Sequence, residues 1–176
     1  MAGGVGEAPA ARAREARQPG EPRDLRDLRD RDDIARLVRE FYARAFADPL
    51  IGPIFTDIAH MDLEHHLPIM CDFWETVVFR AGIYRRNAFT LHEALNRRAP
   101  LGGAEFERWI ELWTATVDDL FAGESAERAK AQARRIASSM RRRLAGGSGS
   151  ALETIGTRER LAAAGEIDEV REAPAR

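Results

Sequence analysis

The sequence predicts an all-α domain carrying two extensions that have no core of their own. Apolar residues recur at offsets of three and four in five successive stretches, which is the spacing of one face of a helix. No stretch shows the strict alternation of a half-buried strand, and there is no internal repeat or glycine-rich phosphate loop. The apolar stretches all lie within residues 31–145, whereas the ends are rich in Ala, Gly, Pro, Arg and acids. Such ends cannot bury enough surface to offset their ordering entropy. Residues 1–30 therefore read as a disordered arm, 31–145 as the folded domain and 146–176 as a flexible tail.

The elements follow from local chemistry. Ile34, Leu37, Val38, Phe41, Tyr42 and Ala45 make the first apolar face, with Asp32 or Asp33 placed to cap it and Asp48-Pro49 ending it. PLIGPIF (49–55) reads as a turn-rich connector whose Phe55 points inward. The next period spans 61–80 through Leu63, His66 or Leu67, Met70, Phe73 with Trp74, and Val77, with Asp62 as its cap. Pro68 requires either a start near Leu67 or a kink. Asn87 caps a short helix whose inner face is Phe89, His92 and Leu95 or Asn96. Three turns have little propensity to stand alone, so something must hold this helix in place. Residues 104–121 present Phe106, Trp109, Trp113, Thr116, Val117 and Leu120, closed by Gly123. The last helix starts at Ser125 and presents Ala129, Ala133, Ile136, Ala137, Met140 and Leu144. Its final turn carries Arg141 to Arg143, where cations favour the helix dipole.

Composition removes several function classes. The folded part holds 17 basic and 17 acidic residues, so it lacks the positive excess of a nucleic-acid binder. No run of about 18 apolar residues is present, which argues against a membrane span. The N-terminal stretch has no apolar core of a secretory signal, and Cys71 is the only cysteine. A cytoplasmic protein without disulfides is expected, and Cys71 reads as a small buried hydrophobe rather than a nucleophile.

Chemistry concentrates between His65 and His92. Tyr42, His66, His92 and Trp109 fall on inward faces, and each carries a polar atom that costs about 1–3 kcal/mol if buried without a partner. A core built for packing alone would use Leu or Phe there. His65 is turned about 100° from His66 around the helix and reads as solvent-facing. Three explanations stay open on these residues. One is a planar iron porphyrin, ligated by one neutral imidazole, with donors on its other face. The second is a pair of core histidines satisfied locally within a helical interaction module. The third is a zinc-dependent helical protein, although His60, His65 and His66 lack regular i, i+4 spacing.

HHLPIMCDFW at 65–74, His92, FY at 41–42, DPLIGPIF at 48–55 and RWIELW at 108–113 together resemble the group III truncated hemoglobins. The resemblance covers residues 31–144 in the family's order. It implies a two-over-two helical sandwich binding heme b (iron protoporphyrin IX). His92 would be the proximal iron ligand, Phe55 and Met70 would pack on the heme with Phe89, and Tyr42, His66 and Trp109 would form the distal pocket. The ligands implied are O2, with NO, CO or peroxide. NO dioxygenation or peroxidase-like turnover fed by a reductase is then as compatible as oxygen binding without turnover. A monomer is expected. Where the family often has a glycine before the short helix, this chain has Arg85-Arg86-Asn87, and either arginine would pair a heme propionate or be solvated.

Overall fold

The computed structural model describes residues 25–147, and these contain five α-helices and one π-helical turn. The α-helices are α1 (Arg31–Ala47), α2 (Leu63–Phe79), α3 (Ala88–Arg98), α4 (Gly103–Leu120) and α5 (Glu124–Leu144). The π turn, Ile54–Ile58, lies in the connector after α1. One layer is the α1/α2 pair and the other is α4/α5, with α1 packed on α4 and α2 on α5. This is the expected two-over-two sandwich. The short α3 lies outside both layers and packs chiefly against α5.

The apolar face expected for α1 is buried in full, from Ile34 to Ala45. Its cap is a correction. Asp30, rather than Asp32 or Asp33, accepts the Asp33 N–H, and α1 begins at Arg31, two or three residues earlier than those candidates would require. Asp33 is instead buried at the third helical position and pairs with Arg26. Burial disfavours its charge, but the Arg26 guanidinium and the Arg29 N–H hold its carboxyl below the ordinary value. In α2, Asp62 caps as expected, accepting from Glu64 and His65. The helix starts at Leu63, so Pro68 lies inside it and leaves the Glu64 carbonyl without its usual helical donor. Leu67 takes the buried position and His66 is half-buried beside it; His65 is exposed, as expected. Cys71 is buried, and burial pushes its thiol up, as fits a small hydrophobe.

Ion pairs stitch the layers at their rims. Arg31 joins Asp72 and Glu75 across α1 and α2, and Arg44 joins Asp119 across α1 and α4. Arg128 of α5 donates to the Val78 carbonyl at 3.0 Å, satisfying one orphan group at the end of α2. Asp48 at the end of α1 is buried. It accepts from Leu50 N, Ile51 N and Arg108 Nε, fixing the connector against α4.

The folded part extends further toward the N-terminus than residue 31. Leu28 is buried, and the Ala122 N–H donates to the Arg26 carbonyl at 3.1 Å. The α5 helix is capped from this segment: Asp27 accepts from Ser125 N and Ala126 N, both at 2.9 Å. The rest of the arm, residues 1–24, and the tail from 148 lie outside the described residues. The start of the expected tail instead finishes α5. Gly146 and Gly147 donate back to Arg143 and Arg142, and Gly146 adopts a φ of 83°.

Burial opposes ionisation of Asp27, but its backbone N–H donors outweigh that and hold its carboxyl below the ordinary value. A depressed folded pKa contributes stability above the unfolded carboxylate range, and that contribution is lost as pH falls through the folded value. Asp27→Ala is expected to cost about 1–2 kcal/mol at neutral pH, as helix caps do. The difference from wild type should shrink in acid. Urea titrations at neutral pH and near pH 3 check this, and equal costs at both would refute the charge-dependent cap.

Candidate functional site

Each residue singled out in the sequence can be located on an element with a physical reason for its place. Tyr42 is 8% exposed on α1. Its ring meets Phe41 and Phe46 on the same helix and lies perpendicular to Phe55 at 5.7 Å. The π turn brings Phe55 there. One extra residue per turn, marked by the Ala59 N–H donating to the Ile54 carbonyl, re-aims the side chain toward α1. Trp109 of α4 joins the same group through Phe41, at 5.6 Å edge to face, and lies parallel to Trp113 at 5.8 Å. Met70, one turn after His66, is half-buried against the core. Tyr42, Phe55 and Trp109 are thus drawn into one aromatic group by α1, the π turn and α4.

Two of the inward polar side chains have a buried atom without a partner. His66 Nδ1 is buried with no hydrogen-bond partner among the described residues, and so is Trp113 Nε1. Burial alone pushes the Tyr42 hydroxyl up, and no described hydrogen bond offsets it. Polar atoms in such positions are costly unless something else occupies them. The sequence places Trp113 inward as well, and it is buried. The criterion that picked Trp109, an indole N–H on an inward face, applies equally four residues later.

His92 and Phe89 stand on α3. His92 is half-buried, and its Nδ1 donates to the Ala88 carbonyl one turn back at 2.8 Å. A carbonyl can only accept, so the proton is on Nδ1 and Nε2 carries an available lone pair. Burial lowers the His92 pKa, with the Ala88 bond acting the other way, so the ring is uncharged at neutral pH. Asn87 caps α3 by accepting the Phe89 N–H, as the sequence predicts. No residue of α3 is fully buried. One face of Phe89 is covered by the Arg143 guanidinium, 3.6 Å from the ring centroid. The arginine triplet therefore does more than answer the helix dipole, since Arg143 ties α3 to α5. Arg85 and Arg86 are exposed at the approach to α3.

No family model matches the chain, and no curated protein matches it. Among solved structures, it is similar to the crystal structure of a group III truncated hemoglobin from Campylobacter jejuni. The match has a TM-score of 0.60 and 25% identity, and it covers 70% of this chain and 97% of that one. The chain has the truncated-globin fold. The resemblance read from the motifs to the group III truncated hemoglobins thus extends to the three-dimensional structure, over nearly the whole length of that protein. A truncated globin built from these residues brings a neutral imidazole with a free Nε2, an unpartnered indole N–H on α4, and half-buried apolar side chains such as Phe55, Met70 and Phe89. That set suits a large flat apolar group holding one metal atom that needs a nitrogen ligand. Among the described residues, no group of three or more His, Cys, Asp or Glu is placed to hold a metal ion. No described helix is long and apolar enough to cross a membrane.

Proposed function

We propose that this chain is a b-type heme protein that binds O2, and also NO or CO, with His92 as the iron ligand. The observation that carries the reading is the state of His92. Its Nδ1 proton is committed to the Ala88 carbonyl, its ring is uncharged, and Nε2 is left as a ligand atom. The helix that bears it has no fully buried residue, so a bond through His92 supplies anchoring that packing does not. Heme supplies reversible binding of diatomic ligands and one-electron redox chemistry.

The chain's own residues would do the rest. Phe55, Met70 and Phe89 offer apolar surface to the porphyrin faces and keep water out. Tyr42 and Trp109 hold protons on the phenolic oxygen and the indole nitrogen, available to a small ligand that gathers negative charge. His66 stands in the first turn of α2, next to the turn that Pro68 weakens, and would swing to open or close the ligand route. Arg85 or Arg86 would pair a propionate. Donors that hold a ligand and polarise it also suit NO dioxygenation or peroxide reduction, with a reductase as electron donor.

Absorption spectra of the purified protein in ferric, reduced and CO-bound forms test the reading, and a protein without a Soret band after expression with ample heme would overturn it. Within it, Tyr42→Phe removes one hydrogen bond worth about 0.5–1.5 kcal/mol, so O2 dissociation should quicken roughly threefold to tenfold. Stopped-flow displacement of O2 by CO measures this, and an unchanged rate removes Tyr42 from ligand binding.

A further inference from the structure

The chain contains three tryptophans and two tyrosines, and all five lie on one unbroken file of ring contacts. Trp109 and Trp113 lie parallel, 5.8 Å apart, and Trp113 stacks on Trp74 at 4.0 Å with 15° between the planes. Trp74 meets the edge of Phe73 at 5.3 Å, and Phe73 meets Tyr84 at 5.1 Å. Tyr42 joins the opposite end through Phe41. Packing alone asks only for bulk at these places, and leucine or phenylalanine supplies bulk without an unpartnered indole N–H.

We infer that Trp109, Trp113, Trp74 and Tyr84, with Phe73 as a bridge, form a path for one-electron oxidation that ends on Tyr84 at the protein surface. The direction follows from where protons can go. An oxidised indole or phenol keeps its electron hole at one place by losing its N–H or O–H proton to an acceptor. Trp113 Nε1 is buried with no acceptor among the described residues, so a hole on Trp113 stays a radical cation and passes on. Tyr42 is only 8% exposed and has no described acceptor, which makes it a poor terminus. Tyr84 is half-exposed, and its phenolic proton can leave to water. Burial pushes the Tyr84 hydroxyl up, and the nearby positive charge of Arg86 works against that. The Thr76 hydroxyl fixes the ring's approach by accepting from Ile83 N and Tyr84 N, at 3.1 and 3.0 Å.

The natural oxidant is a hydroperoxide, and this assignment rests on the heme reading. Reducing a hydroperoxide to an alcohol and water takes two electrons and two protons. The path supplies those electrons one at a time from Tyr84, whose proton enters solvent each time the tyrosyl radical forms. A one-electron donor at the surface, of the phenol or enediol class, then restores the electron while water returns the proton.

The test does not depend on a bound cofactor. Dibromide radical anions made by pulse radiolysis oxidise indoles in the full-length purified chain. They reach half-buried Trp109 rather than Trp74 and Trp113, which are 4% and 1% exposed. Each takes one electron and becomes two bromide ions. The tryptophanyl absorption should then convert to tyrosyl absorption at a rate independent of protein concentration. Tyr84→Phe should lose most of the tyrosyl signal, and Trp113→Phe should leave Trp109 oxidised but slow the conversion several-fold. Undiminished conversion in Tyr84→Phe, or a rate proportional to protein concentration, would overturn the path. Tyr84→Phe changes only a half-exposed ring, so the test survives if Trp113→Phe does not fold. With cofactor-loaded protein and hydrogen peroxide, freeze-quenched electron paramagnetic resonance should show a tyrosyl signal that Tyr84→Phe removes. Radiolytic transfer in a chain that takes up no heme would keep the path and discard the heme reading; heme uptake with no transfer would do the reverse.

Discussion

Replacing His92 by alanine is expected to leave the helices folded and to weaken heme retention by at least about a hundredfold, since loss of a supporting partner alone costs 10–100-fold at metal sites. The two layers of the sandwich do not need His92, because α1, α2, α4 and α5 pack on one another and α3 lies outside both pairs. On the proposed reading, what the imidazole holds is the heme. Heme content of the purified protein and the rate of heme transfer to apomyoglobin give the readouts, and circular dichroism checks that the helices persist. His92→Gly supplied with free imidazole should regain a six- or five-coordinate spectrum, which separates loss of the ligand atom from damage to α3. Wild-type heme content with an unchanged spectrum in His92→Ala would remove His92 from the iron.

Gly123→Ala is expected to be the most damaging single-methyl substitution near a helix end, at about 2–4 kcal/mol from backbone strain and loss of a cap together. Gly123 has a φ of 140° and a ψ of −173°, a region that residues with a Cβ rarely occupy. An added Cβ would also overlap the Asp27 side chain, so the carboxylate that caps α5 must move away. Thermal unfolding should fall by roughly 10 °C or more for a domain of this size. In an Asp27→Ala background the same substitution should cost less, because the cap is already gone and the overlap is relieved. A double-mutant cycle measures that coupling, and strictly additive costs would show that Gly123 and Asp27 act separately.

These two positions mark how far the sequence could be read. His92 was legible because its surroundings are local. It is placed by a helical period with Phe89 and Leu95, by the Asn87 cap, and by the Ala88 carbonyl one turn back, all within a dozen residues. The inward face of α1, the Asp62 cap and the buried Cys71 were legible for the same reason. The sequence reads Gly123 only as a stop after α4, since its partner Asp27 lies nearly a hundred residues away, in a charged DLRDLRDRD stretch (24–32) that would as readily extend α1. The π turn was also hidden. PLIGPIF contains turn residues, and nothing in their order distinguishes a turn that re-aims Phe55 from one that merely reverses the chain.

By itself, then, the sequence determined which residues face inward and where most helices begin. Those properties depend on spacing and on groups within a few residues of one another. The tertiary structure alone decided that Asp30 rather than Asp32 or Asp33 caps α1, that Asp27 caps α5, and that Arg143 lies on Phe89. It also decided that five oxidisable rings from three helices and a loop fall into one file. Each of those depends on distances between segments remote in the chain, which are set by how the two layers pack and not by any local preference.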